Sequence, residues 1–382
     1  LHTATDFLQG LYPPLGELNR ELASLTLANG TEVTGPLNGY QFVWIHGESE
    51  EEPDTIWIKG DDECPAFTTA SKTYTQSEEY RSTLESSREF YSKFVDLLDG
   101  IMPAEDVSYA QAFNVFDLLN VGRIHNESVA AAVSDSDLDQ LRFYADQSEF
   151  GLNYNKTMPA RAVGGMTIAG GILRQLEQTV TTQGKLKFSL MAGSFDTMLS
   201  FFGLTNLTER DPNFKGLPDY SSSLAFELFT EADIDTFPSN QDDLRVRFLF
   251  RNGTESRLNP FPLFGQNDDT MSYADFRTEL GARAINDVGE WCSFCESEAS
   301  FCSVKEHSSF GSSESGPSSH SASKSGKSGL TVTQAGVVGA MTTLGVVGLL
   351  AALVFLLRRR KSKSVMRPVP EKRVTGSDSG SA

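Results

Sequence analysis

Positive charge is what this chain most conspicuously lacks. Its 382 residues hold 32 Lys and Arg against 51 Asp and Glu, a formal charge of −19. From Ser303 onward there are 11 basic and 4 acidic residues, which leaves 21 basic and 47 acidic residues in 1–302, a charge of −26. A surface of that sign repels a phosphate backbone, so nucleic acid is excluded as a partner. Histidine is scarce too, five in all, and neither an HExxH stretch nor a Ser-His-Asp order is built from them. His46 precedes the acidic run ESEEEPD (48–54), which lacks EF-hand spacing and reads as a solvated loop. His125 lies against a sequon as a surface or packing residue, and His307 and His320 are two isolated histidines in a Ser/Gly-rich stretch. No metal and no cofactor is expected. Gly164-Gly165 and Gly170-Gly171 have no strand immediately before them and no GKS or GKT after, so close helix packing explains them better than a phosphate loop.

Cysteine is equally sparse. Cys64, Cys292, Cys295 and Cys302 are the only four, an even number that suits structural disulfides in an oxidising compartment. Three pairings are possible and the spacing does not choose among them. Cys292-Ser-Phe-Cys295 has the form of a redox or zinc half-site, but no second half accompanies it.

One long apolar run is present. AGVVGAMTTLGVVGLLAALVFLL, residues 335–357, carries no charge over 23 residues and is followed by RRRKSK. Such a run spans a hydrocarbon core of about 30 Å, and the basic cluster places 358–382 in the cytoplasm as a short tail. Residues 1–334 then lie outside the cytoplasm, as in a type I single-pass protein of the cell surface or secretory membranes. Five Asn-x-Ser/Thr sequons, at Asn29, Asn126, Asn155, Asn206 and Asn252, all fall on that side and none falls in the tail. Residues 303–334, rich in Ser and Gly, cannot bury enough apolar surface to offset chain entropy and read as a stalk. The spacing Ala335…Gly339 permits helix pairing but is too common to specify an oligomer. A signal peptide is expected ahead of such an ectodomain, and the chain begins instead at Leu1.

The rest of 1–302 alternates two periodicities. Apolar positions at helical spacing predict helices over 77–101, 108–122, 137–150 and 164–180, with a helix at the N-terminus stopped by Pro13-Pro14. KLKFSLMAG (185–193), SSLAFELFTE (222–231) and DLRVRFLFRN (243–252) read as strands. Helices between β-bearing ends point to an α/β domain with an α-helical insertion at about 75–160. Where the first β-run meets the next helical stripe lies Gly193-Ser194-Phe195-Asp196-Thr197. Asp196 has two readings there: an N-cap accepting backbone N–H bonds, or a general acid at a strand end.

The order of segments resembles the histidine acid phosphatases, the phosphoglycerate mutase-like branch that includes prostatic-type acid phosphatases and fungal phytases. HTATDFLQGLYPP, DDECPAF around Cys64, GGMTIAGGILRQL, KLKFSLMAGSFDTMLSFFGL, YSSSLAFELF, VRFLFRNGTE and NPFPLF succeed one another as that family's segments do. The resemblance covers about 1–302 and implies a phosphoglycerate mutase-like α/β fold, incomplete at its N-terminus. It further implies hydrolysis of a small phosphomonoester through a phosphohistidine. In such enzymes arginines hold the phosphate, and a His-Asp pair supplies a phosphate ligand and the general acid.

Two departures stand out. None of the five histidines lies in an Arg-His-Gly-x-Arg-x-Pro motif, and the expected His-Asp pair is Phe195-Asp196. Asp196 matches the acid; Phe195 replaces the histidine with a ring that neither donates to phosphate nor carries charge. The first departure suggests a chain that starts inside the domain, which on its own exposes sheet edges and folds poorly. Two functions follow: a surface-anchored phosphatase active only in its complete form, or a catalytically inactive glycoprotein or binding module of the same fold.

Overall fold

In the computed structural model, residues 2–303 are described. The expectations for 304–334, the span at 335–357 and the tail at 358–382 fall outside the described residues. Among those described, no helix is long and apolar enough to cross a membrane.

The chain opens with helix α1 (His2–Leu11), and a small exposed hairpin of β1 (Ser24–Thr26) and β2 (Glu32–Thr34) follows. The helical part comprises α2 (Pro65–Thr75), α3 (Glu78–Ser86), α4 (Arg88–Ser92), α5 (Ala112–His125), α6 (Asp135–Asn153) and α7 (Val163–Thr181). After α8 (Phe195–Leu204) come β3 (Ser223–Phe229), β4 (Arg245–Arg251), β5 (Asn259–Pro260) and β6 (Thr270–Ser272), then α9 (Tyr273–Gly281) and α10 (Val288–Cys295).

Local chemistry accounts for the long helices. Ser134 caps α6, its hydroxyl oxygen accepting from the Asp137 N–H at 3.1 Å, with Asp135 and Asp137 in the first turn where the helix dipole favours negative charge. Leu141, Ala145 and Ser148 then bury one stripe of that helix. The glycines of α7 are packing positions. A Cβ on Gly165 would lie 2.6 Å from the Ser200 carbonyl carbon of α8, and one on Gly170 would lie 2.0 Å from the Ile285 carbonyl oxygen. Only hydrogen fits there, so α7 runs buried along most of its length against α8 and the loop before α10.

The sheet pairs β4 with β3, β5 and β6, each antiparallel. Arg247 of β4 bonds Glu227 of β3, while Val246 and Phe248 turn inward. Phe201 of α8 meets Phe226 and Phe248 with ring centroids 5.7 and 5.9 Å apart, and Phe202 meets Phe214 and Phe250 at 4.9 and 5.1 Å. This aromatic layer carries helix-on-sheet packing, and edge-to-face pairs add about 0.5–1.5 kcal/mol each beyond area burial. The mixed helix and sheet architecture is consistent with a phosphoglycerate mutase-like α/β fold.

One predicted strand is absent. Residues 185–193 run without secondary structure, with Phe188 51 % and Leu190 39 % exposed, so the β-pattern there does not mark a buried strand. A strand needs a ladder partner, and no described strand pairs with this segment. Residues 41–46 are also unpaired: an apolar run, Phe42 to Ile45, with Phe42 and Trp44 turned to solvent. The four cysteines form two disulfides, Cys64–Cys295 and Cys292–Cys302.

Candidate functional site

The segment Trp57-Ile58-Lys59-Gly60-Asp61-Asp62 is brought against the start of α8 by anchors on both sides. Trp291 of α10 donates its indole N–H to the Gly60 carbonyl at 2.8 Å, and Cys64 is tied to Cys295. Gly60 lies so close to α7 that a Cβ would come within 2.1 Å of Thr167 Oγ1. The Thr197 hydroxyl donates to the Ile58 carbonyl at 3.4 Å.

These anchors deliver Lys59 to Asp196. The ammonium donates to Asp196 Oδ2 at 2.5 Å and to Asp61 Oδ2 at 3.0 Å, and Asp62 Oδ1 lies 3.8 Å away. The other Asp196 oxygen accepts the Thr197 backbone N–H at 2.9 Å. Asp196 is therefore not the N-cap: Ser194 occupies that position, without a side-chain cap bond, and Asp196 sits in the first turn. Its carboxylate is 14 % exposed and the Lys59 side chain 31 %. Burial works against the Lys59 ammonium, but the hydrogen bond to Asp196 and the charges of Asp196 and Asp61 outweigh it and raise its pKa. Burial, then the neighbouring Asp196 charge, pushes Asp61 up, and its Oδ1 is buried without a hydrogen-bond partner. Glu149 of α6 belongs to the same electrostatic cluster. Burial, with the Asp196 charge adding to it, raises its pKa from 4.5 to about 7, while Lys59 opposes the shift.

Phe195 turns the opposite way chemically. Its ring packs on Phe113 of α5 with centroids 4.6 Å apart, so it fills apolar space and presents no polar atom. None of the described histidines belongs to this cluster: His125 is exposed at the end of α5, and His46 lies beside Trp44. Among the described residues no group of three or more His, Cys, Asp or Glu side chains is placed to hold a metal ion.

The sequon asparagines are dispersed. Asn29 is exposed beside the β1–β2 turn, and Asn126 is exposed while its carbonyl caps the short helix after α5. Asn206 is half-buried at a left-handed φ of 64°, and its partner Thr208 is buried. Asn155 is half-buried and Asn252 exposed.

Sequence reasoning singled out Phe195 and Asp196 and passed over Lys59, Asp61 and Glu149. Lys59 stands 137 positions from Asp196; the one local signal is a lone lysine ahead of the acidic run GDDE.

The described residues thus form a helix-flanked sheet with a carboxylate in the first turn of the helix covering it. The chain matches the family model of the histidine phosphatase superfamily, branch 2, over residues 1–251, and belongs to that family. No curated protein matches it.

Proposed function

We propose that residues 1–334 form the extracytoplasmic part of a type I single-pass membrane glycoprotein, anchored at 335–357, whose site as it stands binds rather than hydrolyses. The Lys59–Asp196 pair carries this reading. A general acid must present a proton to a leaving group, yet the Asp196 oxygen accepts from an ammonium at 2.5 Å. A phosphate dianion approaching that ammonium meets Asp61, Asp62 and Asp196 at the same time. Phe195 adds no donor in compensation. Loss of one charge-assisted contact costs about 1.5–3 kcal/mol of phosphate stabilisation.

One observation favours a second reading, phosphomonoester hydrolysis with Asp196 as the general acid. The Lys59 ammonium is partly exposed and is bound to Asp196, the residue next to Phe195, which supplies no cation itself. A phosphate that drew Lys59 away would release Asp196 as the acid. Turnover of p-nitrophenyl phosphate at acidic pH separates the two. The wild-type protein is expected to match the protein-free blank and to be unchanged by Asp196→Asn. Acid phosphatase activity that Asp196→Asn abolishes overturns the binding reading and establishes the second.

A further inference from the structure

Away from Asp196, the outer face of α6 and the segment 212–218 enclose a cleft of about 770 Å³. That is within the range of ligand pockets, about 300–1,000 Å³. None of Lys59, Asp61, Glu149, Phe195 and Asp196 lines it.

Its wall is aromatic, with Phe143, Phe150, Tyr154 and Phe214, and Phe143 stands 57 % exposed. Its principal charges are already engaged. Arg142 donates to Asp146 at 3.2 Å and to Asp219 at 2.8 Å. Arg161 donates to the carbonyls of Ala70 and Gly151 and to Thr73 Oγ1. With Arg142 held by two carboxylates and Arg161 by carbonyls, the exposed face of Phe143 beside the half-buried Phe150 and Tyr154 suits a hydroxyl-bearing ligand with apolar C–H faces, which is a description of a sugar.

Two of the five sequon asparagines, Asn155 and Asn252, line this same cleft. Both have their carbonyl oxygen occupied. Asn155 Oδ1 accepts from the Thr157 N–H and hydroxyl, each at 2.8 Å. Asn252 Oδ1 accepts from the Asp219 N–H at 2.9 Å and the Ser222 hydroxyl at 3.0 Å. In neither case does Nδ2, the atom a glycan attaches to, donate a hydrogen bond to a described residue.

We propose that N-linked glycans on Asn155 and Asn252 lay their proximal N-acetylglucosamines in this cleft and cover its aromatic wall. Attachment joins Nδ2 to C1 of the first sugar. It breaks the bond from C1 to the diphosphate of a lipid-linked oligosaccharide donor, and the amide proton leaves with that diphosphate. The occupant is thus tethered at the cleft itself, and the entropy lost on seating it is smaller than for a free sugar. Asn29 and Asn126 do not line the cleft and serve as references. The proposal rests on the extracytoplasmic reading above.

The test uses the full chain expressed through a eukaryotic secretory pathway, with site-resolved glycopeptide mass spectrometry after timed digestion by peptide N-glycosidase. Asn155 and Asn252 are expected to be occupied. In the native state they should release their glycans about tenfold more slowly than Asn29 and Asn126, which corresponds to about 1.4 kcal/mol of protection. Denaturation should abolish the difference. Phe143→Ala, at an exposed position, is expected to accelerate release at the cleft and leave Asn29 unchanged. Equal native release at all four sites overturns the proposal, as does vacancy at Asn155 and Asn252 with Asn29 and Asn126 occupied; the extracytoplasmic reading survives both results. Vacancy at all five sequons overturns that reading and the proposal with it.

Discussion

Replacing Glu149 with glutamine is expected to stabilise the protein above neutral pH and to leave its stability at pH 4 nearly unchanged. Burial and the adjacent Asp196 charge raise the folded-state pKa of Glu149 from 4.5 to about 7. The folded state therefore holds more protons than the unfolded one between those values, and stability falls as pH rises through that window. A rise from 4.5 to about 7 makes the full penalty on the order of 3 kcal/mol, reached above pH ~7. Glutamine has the same shape and no charge to lose, so the variant should escape the penalty. Urea unfolding at pH 4, 6 and 8 reads the difference directly as a shift in midpoint at constant slope. Parallel wild-type and variant stabilities across that range would refute the placement of Glu149 in the Asp196 cluster. A gain at pH 8 that is already present at pH 4 would assign the effect to packing instead.

Four further outcomes follow from the same geometry. Lys59→Met leaves Asp61 and Asp196 facing each other without their cation. Breaking a fully buried pair costs about 3–5 kcal/mol, and with Lys59 nearly a third exposed about 2 kcal/mol is expected, measured by urea unfolding at neutral pH. The loss should shrink in acid, as Asp61, whose pKa burial raises, takes up its proton. Gly170→Ala forces a methyl carbon into the Ile285 carbonyl and should cost about 1–3 kcal/mol, seen as a lower Tm. Removing Cys64–Cys295, which closes a separation of 231 residues, should cost roughly 5 kcal/mol on the chain-entropy account, whereas removing Cys292–Cys302 should cost less. Apolar dye binding by the folded protein, read as quenching of Trp44 fluorescence, would register the exposed faces at 41–46 and 185–193.

Much of the helical architecture was legible because it is local. Pro13-Pro14 after α1 and Ser134 at the start of α6 each act within a few residues, whereas the helix predicted over 77–101 breaks into α3 and α4 and continues as turns from Lys93 to Gly100. The runs of β3 and β4 were legible as strands for the same reason, since both alternate; their antiparallel pairing across residues 230–244 was not. The run at 185–193 misled because alternation records a preference for an extended chain, and hydrogen-bonded pairing is supplied by a neighbour. Asp196 misled by two positions: Ser194 and Asp196 are both sound cap residues, and the backbone dihedrals chose Ser194.

The amino-acid sequence by itself determined the family, the even count of four cysteines, and the excess of negative charge over 1–302. Each is a property of residue identity and order. Only the tertiary structure decided what Asp196 faces. Lys59 reaches it across 137 positions because Gly60 closes on α7 and Trp291 holds the loop from α10. The pairing Cys64–Cys295 and the meeting of Asn155 with Asn252 at one cleft were decided there as well. Contacts between distant positions depend on how helices and sheet pack, and packing is a property of all the surfaces at once.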